Sequence, residues 1–175
     1  MRYFMDTEFL EDGKTIDLLS IGIVCEDGRE LYLECNETDW SHANEWVQSN
    51  VLPYLKGEFE CYTRKQIAGL IVNFMDPKKY GKPEIWGYYA DYDWVAFCQM
   101  FGTTIDLPEG FPMFCMDLKQ LSIMLGNPEH PKQDTQEHHA LADARWNQEL
   151  YKFLLTRDVS VSDLLTWTLA RLSEL

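Results

Sequence analysis

The stretch from Ile16 to Cys25, Ile-Asp-Leu-Leu-Ser-Ile-Gly-Ile-Val-Cys, constrains this chain more than any other. It is nearly continuously apolar, yet it falls well short of the roughly 20 residues that cross a bilayer as a helix. Such a run reads as a strand covered on both faces at the centre of a sheet. The rest of the chain must then supply neighbouring strands and a layer on each side. Residues 2 to 8 read as a first strand, rich in aromatic and β-compatible side chains. Glu26-Asp27-Gly28-Arg29 carries a hairpin signal. Beyond it, Leu31, Leu33 and Cys35 alternate with Glu30, Tyr32 and Glu34, as in a strand with one wet face. Three antiparallel strands open the fold.

Helical periodicity follows. One helix is expected from Ser41 to Val51, stopping before Pro53. Another runs from Thr63 to Met75, with Ile67, Leu70, Ile71 and Phe74 at helical spacing. Pro83 to Tyr89 reads as a strand leading directly into a helix over Asp91 to Phe101. Asp117 to Leu125 and Ala140 to Leu155 are further helices. A last one starts at Ser160, where Ser160-Val161-Ser162-Asp163 resembles a capping box and Val161, Leu164, Leu165 and Leu172 form an apolar stripe. Strands first, then helices alternating with one or two more strands, point to an α/β fold. Its mixed central sheet, three antiparallel strands plus parallel ones, is flanked by helices. No repeat or Gly/Ser linker divides the chain, so residues 1–175 read as one domain.

Such a core needs apolar material, and 46% hydrophobic with 14% aromatic residues supply it and exclude a disordered segment. No run is long enough for a membrane helix, and Asp6 follows Met1 too soon for a signal peptide, so a cytoplasmic protein with no membrane partner is expected. The five cysteines (Cys25, Cys35, Cys61, Cys98, Cys115) are scattered without a Cys-x-x-Cys pair, which argues against a zinc site or a disulfide framework. Cys25, Cys35 and Cys98 lie in apolar stretches and read as small buried hydrophobes. The net charge of -14 sits awkwardly with a nucleic-acid partner, whose phosphates attract cations. Bound divalent cations that neutralise a local carboxylate cluster would resolve the conflict.

Three short elements carry the chemistry. In Asp6-Thr7-Glu8 the two acids, two apart on a strand, project to one face beside Phe4 and opposite Tyr3, Met5 and Thr7. Side by side they raise each other's pKa unless a cation lies between them. Taken alone, the pair reads as two solvated charges near a strand end. In Asp91-Tyr92-Asp93-Trp94 one acid suits a helix N-cap, which Asp91 satisfies, leaving Asp93 available for a cluster. In His138-His139-Ala140-Leu141-Ala142-Asp143 a loop histidine and an acid in the first helical turn can face one pocket. A lone histidine is more often a satisfied surface residue, and His139 is read so.

The ordered set resembles the DEDDh 3′-5′ exonucleases, which include proofreading exonucleases, oligoribonuclease and ribonuclease T. Within them it looks like the smaller RNase AS-type exoribonucleases. Three blocks carry that likeness: Met1 to Gly13, Tyr92-Asp93-Trp94-Val95-Ala96-Phe97-Cys98-Gln99, and His138 to Ala144; the whole spans Met1 to Leu155. The resemblance implies a ribonuclease H-like fold and a hydrolase acting on single-stranded RNA 3′ ends, with a preference for adenylate-rich tails. It assigns Asp6, Glu8, Asp93 and Asp143 as metal-site carboxylates and His138 as general base. His139 stands where an acidic residue can occur in relatives, so it remains the alternative base. Phe9 and Leu10 would wedge against terminal bases, with a place in the core as the alternative for Phe9. A homodimer is implied, with the last helix serving it or packing on the core.

Carboxylate oxygens suit Mg²⁺, or Mn²⁺, better than Zn²⁺, and two such ions per site flank a scissile phosphate. A histidine that titrates near neutrality takes the proton from the attacking water. Arg64-Lys65 and the Lys78, Lys79, Lys82 cluster read as solvated charge, with phosphate steering as the alternative. Three other activities remain open on the same residues: a proofreading-type DNA exonuclease, a ribonuclease H-type endonuclease, and a non-catalytic nucleic-acid-binding module.

Overall fold

The computed structural model describes residues 1–55, 57, 61–133 and 136–157. The apolar run is the central strand β2 (Ile16–Cys25). It pairs antiparallel with β1 (Arg2–Glu11), where Asp6 lies opposite Gly22 and Glu8 opposite Ser20. On its other side it pairs antiparallel with β3 (Glu30–Cys35). Gly28 turns the intervening hairpin at φ +90°, a conformation open to glycine. Three short parallel additions complete the sheet: β4 (Cys61–Tyr62) on β3, β5 (Glu84–Gly87) on β1, and β6 (Met116–Asp117) on β5. The order is β4-β3-β2-β1-β5-β6. Two-residue strands such as β4 and β6 hold no readable alternation, which is why periodicity passes over them.

Six α-helices surround the sheet among the described residues: α1 (Glu45–Asn50), α2 (Arg64–Met75), α3 (Pro77–Tyr80), α4 (Asp91–Gln99), α5 (Leu118–Met124) and α6 (Ala140–Leu155). The helix expected over 41–51 is shorter, because a 3-10 turn (Trp40–His42) precedes it and the side chain of Asn44 caps the remainder. Thr63 starts α2 through a full capping box with Gln66, an arrangement that stabilises a helix by about 1 kcal/mol. Ala90 stands at the N-cap of α4, so Asp91 is its first residue and not its cap. The helix expected from Ser160 lies outside the described residues. No described helix is long and apolar enough to cross a membrane.

Alternation along β1 divides the core. Tyr3 and Met5 pack with Ile21 and Ile23 against Ile67, Ile71 and Met75 of α2 and Phe97 of α4. Phe4, on the other face, packs with Trp86 against Leu118 of α5 and Leu150, Tyr151 and Leu154 of α6. The wet face expected of β3 is corrected here, because α6 covers it. Glu34 is only 2% exposed. The Tyr32 ring stacks on His139 at 4.6 Å, and Arg145 of α6 pairs with Glu30 at 2.5 Å.

Candidate active site

The site arises where β1 outlasts its neighbour. Pairing of β1 with β5 ends at Phe4 and Trp86, so the edge beyond Met5 has no strand to satisfy it. Buried backbone groups need partners, and two side chains supply them. Asn147 of α6, 1% exposed, donates from Nδ2 to the Met5 carbonyl at 2.9 Å. Asp93 of α4 accepts the Thr7 N–H at 2.8 Å and the Thr7 hydroxyl at 2.6 Å through one oxygen. Both helices are thereby pinned to the strand that carries Asp6 and Glu8.

Asp143 is brought in by a glycine. A Cβ on Gly22 would lie 2.3 Å from the Ala140 carbonyl oxygen, so only glycine lets the first turn of α6 rest on β2. That approach brings carboxylate oxygens of Asp6, Glu8 and Asp143 all within 4.8 Å of one another. Asp143 is oriented in turn by the His138 N–H at 3.0 Å and by Gln133 Nε2 at 2.5 Å. Asp93 falls outside this trio but is close enough that its charge raises the pKa of both Asp6 and Glu8.

The acids are costly to ionise together. Burial, then repulsion from Asp93, Asp143 and Glu8, holds Asp6 well above the usual carboxylate range. Burial, with Asp143 and Asp93, pushes Glu8 up to about 8. Burial outweighs the Thr7 hydrogen bonds and raises Asp93 to about 6. Asp143 is raised by burial as well, against the opposing pull of Gln133 and His138. A cluster of oxygen donors that resists its own charge fits a hard divalent cation.

The two histidines part company. His138 adopts a left-handed backbone, φ +64°, and lines a cleft of about 580 Å³ together with Asp6 and Asp143. The edge of Trp46 lies against its ring at 4.8 Å. His139 instead caps α6, its Nδ1 accepting the Ala142 N–H at 3.4 Å. Phe9 is half-buried with its ring 5.7 Å from Tyr92. Leu10 is 3% exposed and packs with Leu19, Val47 and Val51, which corrects the wedge expectation for that residue: its side chain faces core. Arg64 is engaged by Asp17 and Glu37, and Lys82 sits beside Met1 at the start of β1, away from the acids. Asn147, Gln133, Trp46 and Gly22 are site residues that sequence reasoning missed. The spacing of Asn147, one turn beyond Asp143 on the same helix, was the one local signal for any of them.

Residues 1–155 match the family described as the 3′-5′ exoribonuclease Rv2179c-like domain. The chain is 39% identical over 160 residues to the 3′-5′ exoribonuclease Rv2179c of Mycobacterium tuberculosis strain H37Rv, covering 90% of this chain and 95% of that one. The same figures hold for the 3′-5′ exoribonuclease MT2234.1 of strain CDC 1551. Among solved structures, the 3′-exonuclease in a study of 3′-end specific recognition of histone mRNA stem-loop shares the fold at a TM-score of 0.54 and 12% identity. That alignment covers 87% of this chain and 63% of the solved one.

Proposed function

Since the chain belongs to the Rv2179c-like 3′-5′ exoribonuclease family, we propose that it releases 5′-mononucleotides one at a time from the 3′ ends of single-stranded RNA. The observation that carries this reading is the convergence of Asp6, Glu8 and Asp143 oxygens within 4.8 Å of one another, with His138 on the same cleft. Asp6, Glu8, Asp93 and Asp143 would hold two Mg²⁺ or Mn²⁺ ions. Bound there, the ions would offset the charge of the scissile phosphate and make water a better nucleophile.

His138 accepts the proton of the attacking water as its oxygen bonds to phosphorus. The bond from phosphorus to the 3′ oxygen breaks, and that oxygen, once protonated, becomes the new 3′ end. Trp46 packs against the imidazole on the cleft wall, a position from which it would reach water attacking a phosphate held at the acids. Asp143, held by Gln133 and the His138 N–H, ties the base to the carboxylate cluster. Phe9, paired with Tyr92, is the side chain we assign to stack on the terminal base. We extend the domain through residues 1–175, which no repeat or Gly/Ser linker divides, and assign a cytoplasmic protein; the homodimer and the preference for adenylate-rich tails follow the family resemblance.

The test is a time course on matched single-stranded RNA and DNA, labelled at the 5′ end, with Mg²⁺, with chelator, and with Asp6→Asn. An RNA ladder shortening from the 3′ end, absent in both controls, is expected. Equal or faster loss of DNA would make this a DNA exonuclease, and products cut internally would make it an endonuclease. No metal-dependent shortening of either strand would leave a binding module.

A further inference from the structure

We propose that Tyr88, Tyr89, Lys119 and Lys132 form a second nucleotide subsite that holds the strand on the 5′ side of the scissile phosphate. The proposal rests on the exonuclease reading and assigns the path by which RNA leaves the carboxylates. Tyr89 is 63% exposed, although Gly87 and Ala90 beside it are buried. Its backbone is left-handed at φ +54°, unfavourable for a bulky aromatic residue and a conformation retained mainly where function needs it. Its ring meets Tyr88 edge-on at 4.8 Å. Tyr88 in turn lines the cleft of Asp6, His138 and Asp143, and contacts Trp146 at 5.1 Å. An aromatic surface therefore runs from the acids out to Tyr89, and bases of any identity stack on such surfaces.

Charge follows the same track. In a chain of net charge -14, Arg2, Arg29, Arg64 and Arg145 are all engaged by carboxylates. Lys119 and Lys132 form no salt bridge among the described residues. Lys119 Nζ donates to the neutral Asn127 side chain at 2.9 Å and lies 6.0 Å from the centre of the Tyr89 ring. Lys132 is exposed on the cleft wall. The nearby Asp117 carboxylate is occupied by the Ala90 and Gln120 N–H groups. Two available cations beside an aromatic track suit a single strand, whose phosphates and bases they meet in turn. Phe9 and Tyr92 lie outside the lining of this cleft, so a terminal base stacked on Phe9 leaves the cleft to the nucleotides behind it.

The experiment compares the p-nitrophenyl ester of adenosine 5′-monophosphate, which carries no nucleotide on the 5′ side of its scissile phosphate, with a longer substrate, an RNA strand of about twelve nucleotides, a length within single-strand site sizes. Wild type, Tyr89→Gly, Tyr89→Phe and Lys119→Gln are each assayed with Mg²⁺. Glycine relieves the left-handed backbone, so the melting temperature of Tyr89→Gly should equal or exceed wild type and misfolding is not in play. Its KM on the longer strand should rise about tenfold, within the range that stacking of one base supports, with kcat and hydrolysis of the p-nitrophenyl ester unchanged. Tyr89→Phe should behave as wild type, and Lys119→Gln should weaken the salt dependence of KM on the longer strand. An unchanged KM in Tyr89→Gly, or an equal rise on both substrates, overturns the subsite alone. Absence of hydrolysis by the wild type on both substrates overturns the exonuclease reading, and the subsite falls with it.

Discussion

Asp6 and Asp143 belong with Glu8 to the trio whose oxygens lie within 4.8 Å of one another, and removing either charge would leave a poorer site for a cation. Asp6→Asn and Asp143→Asn are each expected to abolish turnover while the fold persists, as read by nucleotide release and by melting. His138→Ala should cost about 10² to 10⁴ in kcat, the usual contribution of a general base. His139→Ala should keep most activity and lose about 1 kcal/mol of stability, because that ring caps α6. The reverse pattern between the two histidines would move the base to His139. A pH dependence follows from the same acids. Folded Glu8 keeps its proton up to about 8 against an ordinary value of 4.5, and folded Asp93 keeps its own up to about 6 against 3.8. Between these values the folded state binds more protons than the unfolded one. The metal-free protein should therefore lose stability as pH rises from about 5 to 8. Melting curves in chelator check this, and a flat or rising trend would contradict the raised pKa values.

At the scale of elements, the junction of α6 with the sheet decides the site. Gly22 permits the contact, Asn147 fastens it to the Met5 carbonyl, and Arg145 closes it on Glu30. Gly22→Ala drives a methyl group into the backbone of α6, which the helix accommodates only by shifting. A stability loss of about 1–3 kcal/mol is expected, typical of overpacking. Activity should fall further than that loss explains, because Asp143 rides on the displaced turn. Denaturant unfolding beside kcat separates the two effects. Wild-type turnover in Gly22→Ala would show that the position of Asp143 tolerates such a shift.

For the whole molecule, cation binding and folding are linked. An ion that binds the assembled cluster and not the unfolded chain stabilises by RT ln(1 + [L]/Kd), about 2.7 kcal/mol at a hundredfold excess over Kd. Mg²⁺ or Mn²⁺ should raise the melting temperature near neutral pH, and Asp6→Asn should lose that rise. An equal rise in the variant would point to binding elsewhere. In a chain of net charge -14, such ions would offset the charge of the carboxylate cluster where a phosphate would approach it.

Much of this was readable in the chain itself. Backbone geometry fixes the side-chain period at about 2 in a strand and 3.6 in a helix. Residues 16–25 therefore declared a central strand, and Asp6 and Glu8 a shared face. Asp93 and Asp143 were placed at helix starts by local signals. What lay beyond reach depended on contacts between distant segments. The outward alternation of β3 looked solvated until α6 covered it, and Leu10 looked available until Val47 and Val51 enclosed it. Asn147 and Met5 stand 142 positions apart, a separation no local pattern spans. Periodicity determined the elements and the faces on which the acids lie. Tertiary packing alone decided that those faces meet, because the meeting turns on a missing Cβ at Gly22 and an unpaired edge of β1.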